Sequence, residues 1–552
     1  MKMSKITLAL SMALSINAAA VAHNSHHSSH KSSELSMSVI GTYKTGVFDD
    51  SAAEIVAHDA RNQRVFVINA NAATVDVLDI NDPANPLLMG TIDASSIGKV
   101  ANSVAIYKDL VAVAIEADNK QAPGKVAFYN ASDLTFINAV TVGALPDMLT
   151  FTPNGRHVLV ANEGEPNDDY TVDPVGSVSV INLRHGAMHA TVRTASFEKY
   201  NGMEDQLRAQ GIRIFGPGAS AAQDFEPEYI TVSNNSRTAW VVMQEANAMA
   251  VIDIRKAEVT DLLPLGTKNH SLSGNELDAS NKDGAINITN WPVQGMYMPD
   301  SISSYSYRGK TYIVTANEGD SRDYAGYSEE ERIKDLNLDP VAFPDAAALQ
   351  DDAALGRLKT TTVNGDIDHD GDYDVLYSYG ARSFSIWTGE GELVFDSGAD
   401  FEKITAELIP ADFNSTNDEN DSFDNRSDDK GPEPEGIALG KIGRQTIAFI
   451  GLERVGGIMV YDITNPHKVT FLSYLNNRDF SVDVQLGDGS VNPLVGDLAP
   501  EGLVFISARK SPNGKPLLVV GNEVSGSTTI YEVDLEKSHK KDKKKKYQHN
   551  HH

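Results

Sequence analysis

The sequence predicts an all-β protein: a seven-bladed β-propeller that is closed by its N-terminal strand and carries long insertions on one face. Short runs rich in Val, Ile and Tyr dominate the chain, among them VFVINA, VSVINL and TYIVTANE. These runs recur in modules of three or four strands. The last module ends in TTIYEVDLEK without a fourth strand, and LSMSVIGTYKTG at 35–46 supplies one, which would close the ring and protect its edges.

Two polar landmarks define each module, one at the start of its first strand and one at the end of its second. They lie 13 to 22 residues apart, which suits two strands of about five or six residues joined by a turn. The seven pairs are Glu54 with Asn69, Ser103 with Glu116, Asp147 with Glu163, Glu228 with Glu245, Asp300 with Glu318, Glu435 with Glu453, and Glu501 with Glu523. The alternative is two β domains divided near residues 412–430, but the landmarks continue on both sides of that segment.

The landmarks are predicted to share one face of the propeller, because the start of the first strand and the end of the second meet at one edge of an antiparallel hairpin. Short turns such as TPNGRH and SNNSR then fall on the opposite face. The strand directions place the long insertions on the acidic face. These insertions span 198–224, 261–298, 319–374 and 397–432.

Four segments are predicted along the chain. Residues 1–22 combine Lys2 and Lys5 with an apolar run and an Ala-Val-Ala end, which is typical of a secretory signal peptide. Residues 23–34 form a His- and Ser-rich disordered segment, 35–537 the propeller, and 538–552 a basic disordered tail. We therefore expect an exported protein, periplasmic or at the cell surface, without a transmembrane segment.

The composition restricts the partners. A net charge of −29 argues against nucleic acid, whose phosphates require a basic surface, and favours divalent cations. The chain has no Cys, so disulfides are excluded and stability must come from a large core, bound metal or both. We expect a monomer.

Carboxylates are predicted to converge where the first strands line the channel mouth. Acids follow Pro in LPD, FEPEY, MPD, EPEG and APEG, and carboxylates that close together protonate, pair with Arg or bind a metal. Oxygen ligands without Cys favour Ca²⁺, and a further ion such as Fe, Zn or Mg is possible in addition. The candidate ligands are Glu163, Glu228, Asp300, Glu318, Asp320, Glu435, Glu453, Glu501 and Glu523. A purely structural turn motif is the alternative.

A second cation signal is GDIDHDGDYD at 365–374. Its alternating acids are Asp366, Asp368, Asp370 and Asp372, and Gly371 occupies the sixth position, where a Ca²⁺ loop turns sharply. Tyr377 stands at the twelfth position in place of the usual acid, so the pattern predicts a Ca²⁺ loop of a non-helical type, with a solvated acidic turn as the alternative.

The ordered motifs ANEGE, DFEPEY, ANEGDSRDY, KGPEPEG, GLERVGG and DLAPEG resemble those of the choice-of-anchor I family over about residues 38–535. That family includes mesenchyme-specific cell-surface glycoproteins and atypical alkaline phosphatases. The resemblance implies a propeller fold, an exported location, and a phosphatase or calcium-associated role.

If the protein is an enzyme, metal-assisted hydrolysis of a small phosphate ester is the expected chemistry, because no nucleophile elbow, His-based triad or phosphate-binding Gly loop occurs. Arg322, Arg382 and Arg454 are the candidate catalytic residues, since a guanidinium matches phosphate oxygens in bidentate fashion. The rival hypotheses are a calcium-binding cell-surface or mineral-associated protein without turnover, and a propeller lactonase.

Overall fold

The computed structural model describes residues 35–535. The predicted signal peptide, the His- and Ser-rich segment and the basic tail lie outside the described residues. Within residues 35–535, seven sheets of four antiparallel strands make up most of the chain. The predicted all-β propeller is therefore confirmed.

The sheets are numbered here in the chain order of their first strands. Sheet 1 contains Val56–Asp59, Arg64–Asn69, Thr74–Asp79 and Leu87–Asp93. Sheet 2 contains Ala101–Tyr107, Leu110–Ile115, Pro123–Asn130 and Phe136–Ala144. Sheet 3 contains Pro146–Phe151, His157–Asn162, Ser177–Asn182 and Thr191–Ser196. Sheet 4 contains Ile230–Val232, Thr238–Met243, Ala248–Asp253 and Glu258–Pro264. Sheet 5 contains Ile302–Tyr307, Lys310–Asn317, Ser383–Thr388 and Leu393–Asp396. Sheet 6 contains Pro434–Ile442, Gln445–Leu452, Ile458–Asp462 and Thr470–Leu475. Sheet 7 contains Pro500–Ile506, Leu517–Asn522, Ser527–Leu535 and the N-terminal strand Leu35–Lys44.

The sheets form a closed ring. Each first strand contacts the first strand of the next sheet, and that of sheet 7 returns to contact that of sheet 1. Strand Leu35–Lys44 pairs antiparallel with Ser527–Leu535, from Leu35 opposite Leu535 to Lys44 opposite Ser527. The N-terminal strand therefore completes the last sheet, as the incomplete last module predicted.

The core lies between the faces of neighbouring sheets. Central strands such as His157–Asn162 and Leu517–Asn522 are buried along their whole length. Both faces of such a strand are covered by adjacent sheets, which explains why its sequence is a continuous apolar run rather than an alternating one. Fourth strands, such as Leu87–Asp93, are largely exposed because they form the outer edge.

The four insertions form a cap over the end of the ring where the first strands begin. A buried apolar cluster joins two of them, with Leu277 and Val293 from 261–298 packed among Ile333, Leu355 and other residues of 319–374. The cap contains the helices Glu204–Arg208, Ala221–Asp224, Ala346–Leu349 and Asp400–Leu408, the 3₁₀ turns Glu198–Tyr200 and Ile333–Asp335, and the strands Thr267–Asn269, Val293–Met296, Asp323–Tyr324, Tyr327–Ser328, Glu330–Arg332, Lys359–Thr361 and Leu376–Ser378. A further 3₁₀ turn, Ala187–His189, connects the third and fourth strands of sheet 3.

Helices are short throughout residues 35–535, and none of those described there is long and apolar enough to cross a membrane.

Candidate functional site

The sequence Pro-Glu-Gly opens the first strands of sheets 6 and 7, at 434–436 and 500–502. A Cβ atom added to Gly436 would overlap the backbone oxygen of Glu501. Glycine therefore allows two neighbouring first strands to approach closely at the point where their acids stand. This close approach brings Glu435 next to Glu501 at the mouth of the channel.

Replacing Gly436 with Ala is expected to lower the free energy of unfolding by about 1–3 kcal/mol, because the new methyl group forces the two strands apart. Any cation affinity of the mouth should fall as well. Thermal unfolding with and without Ca²⁺ measures both effects. Gly487→Ala is the control, since a Cβ there meets open space. Equal behaviour of the two variants would contradict this explanation of the motif.

The mouth contains two adjoining cavities, of about 330 and 540 Å³, which share Asp147, Glu163 and Asp300. The smaller is lined by Asp147, Glu163, Glu165, Glu228, Gln244, Glu245, Asp300, Glu318, Asp320, Lys430, Glu435, Glu453 and Arg454. Glu54, Glu116 and Glu501 line the larger one. Of the nine ligands predicted at the mouth, only Glu523 lines neither cavity, and it accepts a hydrogen bond of 2.9 Å from Ser51, which lines the larger cavity. The structure thus brings the predicted acids together.

Three of the nine predicted ligands have an oxygen that is buried and receives no hydrogen bond from the described residues: Oε2 of Glu228, of Glu435 and of Glu501. Glu245, which also lines the smaller cavity, has such an oxygen as well. Burial raises the pKa of Glu228 well above its usual value, and Glu245 and Glu163 raise it further. Burial also raises the pKa of Glu435 and of Glu501 well above the usual range, with repulsion from neighbouring carboxylates adding to it. A buried acceptor without a donor is costly unless it is protonated or bound to a cation.

Burial also raises the pKa of other acids at the mouth. Burial raises the pKa of Asp147 to about 7, with repulsion from Glu165 adding to the shift. Burial raises the pKa of Glu54 and of Glu453 to about 8. Without a bound cation, several carboxylates of the mouth therefore hold protons near neutral pH.

On one side of the smaller cavity, basic side chains neutralise the charge of the carboxylates. Lys430 Nζ lies 2.8 Å from Glu318 and 3.3 Å from Glu433, and Arg454 Nε lies 3.0 Å from Glu433. Burial by itself would raise the pKa of Glu433, but Lys430, Arg426 and Arg454 outweigh it and lower that pKa below its usual value. Glu318, Glu433 and Glu453 have oxygens within 4.8 Å of one another, yet these bases already neutralise the group.

The three predicted catalytic arginines occupy different places. Arg454 lines the smaller cavity, and Nη1 of its guanidinium lies 3.1 Å from Glu453. Arg322 is 1% exposed and pairs with the buried side chains of Asp224 and Glu226. It is not among the residues that line either mouth cavity.

Arg382 is also buried outside the cavity lining. Its Nη1 pairs with Glu402 at 2.7 Å and donates to the backbone oxygen of Asp278 at 2.6 Å, and Nη2 donates to the backbone oxygens of Ser427 and Asp429. Arg382, which directly precedes a strand of sheet 5, therefore ties two insertions of the cap together, 261–298 and 397–432. Arg454 is the member of the predicted trio that faces the cavity.

The acidic loop at 365–374 assembles differently from the predicted pattern. Asp366 and Asp368 group with Asp374, while Asp372 groups with Asp339 and again with Asp374; each set has oxygens within 4.8 Å of one another. Asp370 belongs to neither set. Gly371 has φ +99°, which supports the sharp turn predicted there.

Sequence reasoning missed Lys430 at the mouth and Asp374 in the loop. Both stand inside quoted motifs: Lys430 is the base of KGPEPEG, and Asp374 is the last acid of GDIDHDGDYD. A count of every charge within each motif would have found both.

Comparison with protein families adds a decisive match. The model of the choice-of-anchor I domain matches residues 54–466, three quarters of the chain. The chain belongs to the choice-of-anchor I family. The matched part of this choice-of-anchor I protein carries every mouth acid of sheets 1 to 6, while Glu501 and Glu523 of sheet 7 lie beyond it.

Two curated relatives of this choice-of-anchor I protein are animal proteins. Gigasin-3a of Magallana gigas is 34% identical over 191 residues, covering 34% of this chain and 67% of the relative. The mesenchyme-specific cell surface glycoprotein of Strongylocentrotus purpuratus is 27% identical over 319 residues, covering 50% of this chain and 41% of the relative.

Solved structures match at low identity. Hydrazine synthase of Kuenenia stuttgartiensis has a TM-score of 0.45 and 13% identity, and the match covers 90% of this chain and 100% of that one. The Cps50 (Swd1) β-propeller domain of Myceliophteria thermophila has a TM-score of 0.42 and 8% identity, with 89% and 100% covered.

Proposed function

We propose that this is an exported propeller that binds divalent cations at the acidic mouth and uses them to hydrolyse phosphate esters. Ca²⁺ is the cation that we favour. The observation that carries the proposal is the convergence of Glu228, Glu435 and Glu501 on adjoining cavities, each with a buried oxygen that lacks a hydrogen-bond donor. Export is supported by the N-terminal sequence and by the printed name of the cell-surface relative.

The donor set fits a hard cation. Carboxylate oxygens are the main donors of the two cavities, and Ca²⁺ takes six to eight oxygen ligands in flexible geometry. Glu228, Glu435 and Glu501, with Asp147, Glu163 and Asp300 between the cavities, would hold the ions. The predicted Fe or Zn ion has a weaker case, since no His or Cys lines either cavity among the described residues. Mg²⁺ also prefers oxygen ligands, but it requires stricter octahedral geometry than Ca²⁺.

Phosphate-ester hydrolysis would use both the acids and the bases that line the smaller cavity. Bound divalent cations supply a Lewis acid for phosphoryl oxygens and lower the pKa of water. Lys430 and Arg454 line the same cavity as Glu228 and Glu435 and would provide the positive charge that a phosphate dianion requires. We assign the charge-neutralising role to Arg454 and Lys430, because Arg322 and Arg382 are engaged within the cap.

The purified protein is expected to hydrolyse a generic phosphomonoester with added Ca²⁺ and to lose at least tenfold in rate when a chelator removes the ion. Glu435→Gln should reduce the rate similarly, whereas Glu258→Gln, an exposed acid on the opposite face, should leave it unchanged. Hydrolysis that is indifferent to chelator would contradict the role of the cation, and turnover of a lactone but not of phosphate would favour a lactonase.

A calcium-binding surface protein without turnover is the second candidate. It is favoured by the ion pairs that Lys430 and Arg454 already make. Lys430 pairs with Glu318, and Arg454 pairs with Glu433 and Glu453. These pairs would have to break before either base could bind a phosphate. If Ca²⁺ raises Tm while no tested metal yields turnover, this candidate stands and the phosphatase is excluded.

A further inference from the structure

The face opposite the mouth carries exposed bases in a regular arrangement. Every sheet has a short turn on this face between its first and second strands, and each of the seven turns bears an exposed basic side chain. These are Arg61, Lys108, Arg156, Arg237, Arg308, Arg444 and Lys510. The one acid within the seven turns is Asp109, which pairs with Arg61.

Neighbouring turns contact each other, so the bases belong to one continuous surface. The Gln63 side chain donates to the backbone oxygen of Lys510 at 3.0 Å, which joins the turns of sheets 1 and 7. The backbone N–H of Asn154 donates to Ser236 Oγ at 3.1 Å, which joins those of sheets 3 and 4. We call this surface the basic face.

Two grooves on the basic face are lined by cationic side chains. One, of about 560 Å³, contains Arg237 and Arg255 with a single acid, Asp253. The other, of about 300 Å³, contains Arg308 and Lys310 and no acid. Both can accept phosphate groups, which guanidinium and ammonium groups bind well.

The negative net charge of the whole protein does not abolish the positive potential at the basic face. The mouth acids lie at the other end of the strands, and a six-residue strand spans about 20 Å. The turns between the third and fourth strands do bring exposed acids to the basic face, namely Asp82, Asp133, Glu258, Glu390 and Glu392. The exposed bases of the turns on this face outnumber them. Charges in solution are screened over about 8 Å at physiological ionic strength. An anionic partner that approaches the basic face therefore meets mainly its bases.

Exposed apolar side chains rim the same face. Leu87 and Phe136 begin the fourth strands of sheets 1 and 2, and Met188 lies in the turn before the fourth strand of sheet 3. They are 56%, 55% and 59% exposed. Large apolar side chains beside spread-out bases fit a surface that is both anionic and apolar beneath its headgroups.

We propose that the basic face docks on a membrane of anionic phospholipid and leaves the acidic mouth open to the solution. The bases are spread one per sheet over a face rather than gathered in a single deep pocket, which suits many headgroups better than one soluble ligand. Leu535, after which the sequence is Lys-rich, lies at this end of sheet 7, where it pairs with Leu35.

The test is sedimentation of the full-length protein with vesicles of phosphatidylglycerol and phosphatidylcholine, compared with phosphatidylcholine alone, in chelator so that cations cannot bridge the mouth to lipid. Binding should require phosphatidylglycerol. The double substitution Arg237→Gln and Arg308→Gln should weaken it about tenfold. Among the described residues, no carboxylate lies within ion-pair distance of these two guanidinium groups, so folding should be unaffected.

Lys99→Gln with Lys282→Gln is the matched control, because it removes the same charge from exposed positions on the acidic face. It should change binding less than twofold. The proposal is overturned if vesicles without phosphatidylglycerol bind equally well, if the two double variants behave alike, or if soluble dextran sulfate binds while the anionic vesicles do not, which would indicate an anionic polysaccharide partner. Because the assay contains chelator, its outcome is independent of the proposed cation site.

Discussion

Replacing Arg322 with Met is expected to lower the free energy of unfolding by about 3–5 kcal/mol, the loss typical of breaking a buried ion pair from one side. The Arg322 side chain is 1% exposed, and the side chains of its partners Asp224 and Glu226 are 0% and 2% exposed. Its Nη2 lies 2.8 Å from Glu226, and the guanidinium stacks 4.6 Å from the ring centre of Phe215. Without the guanidinium, two buried carboxylates lose their counter-charge, although the backbone N–H groups of Phe215 and Gly216 still donate to Asp224.

Denaturant and thermal unfolding at neutral pH measure this loss. Arg308→Met, at an exposed turn, is the matched control and should change stability by less than about 0.5 kcal/mol. The triple variant Arg322→Met, Asp224→Asn and Glu226→Gln should recover much of the loss, because it also removes the uncompensated charges. A single variant as stable as the control would show that the pair is not structural, and would return Arg322 to consideration as a catalytic residue.

The contrast between Arg322 and the propeller shows which parts of this protein its sequence can predict. The sheets were predictable because each is built from strands that are adjacent in the chain, so their turns and polar landmarks repeat locally. The mouth acids were predictable for the same reason, since each stands at a fixed position in its module. Glu228 and Glu435, for example, can each be recognised from the sequence of their own module alone.

The charge balance of the site was not predictable in this way. Arg322 meets Asp224 across 98 positions of sequence, and Lys430 meets Glu318 across 112. These pairs depend on how the insertions fold over the ring, and the insertions contain no repeat. From its acidic motif, Arg322 was therefore predicted to be catalytic, whereas its side chain forms buried ion pairs within the cap.

The apo-protein is expected to lose stability as pH rises from about 5 to 8, and Ca²⁺ is expected to restore it. Folding raises the pKa of Glu54 and of Glu453 to about 8, whereas Glu in an unfolded chain has a pKa of about 4.3. Between these values the folded state binds more protons than the unfolded state, so the free energy of unfolding falls as pH increases. The stabilisation is complete below the unfolded pKa and is lost as pH rises through the folded pKa.

A bound cation replaces those protons, so its stabilising effect should be small at pH 5 and large at pH 8. At about 100 times its Kd, a ligand that binds only the folded state adds about 2.7 kcal/mol. Glu228→Gln should flatten the pH dependence, because it removes a buried carboxylate with an unpaired oxygen, and should abolish most of the Ca²⁺ effect. Tm measured across this pH range, with chelator or Ca²⁺, tests both statements, with Glu258→Gln as the control. Stability that rises with pH in chelator, or a Ca²⁺ effect that Glu228→Gln leaves intact, would show that the mouth is not a cation site.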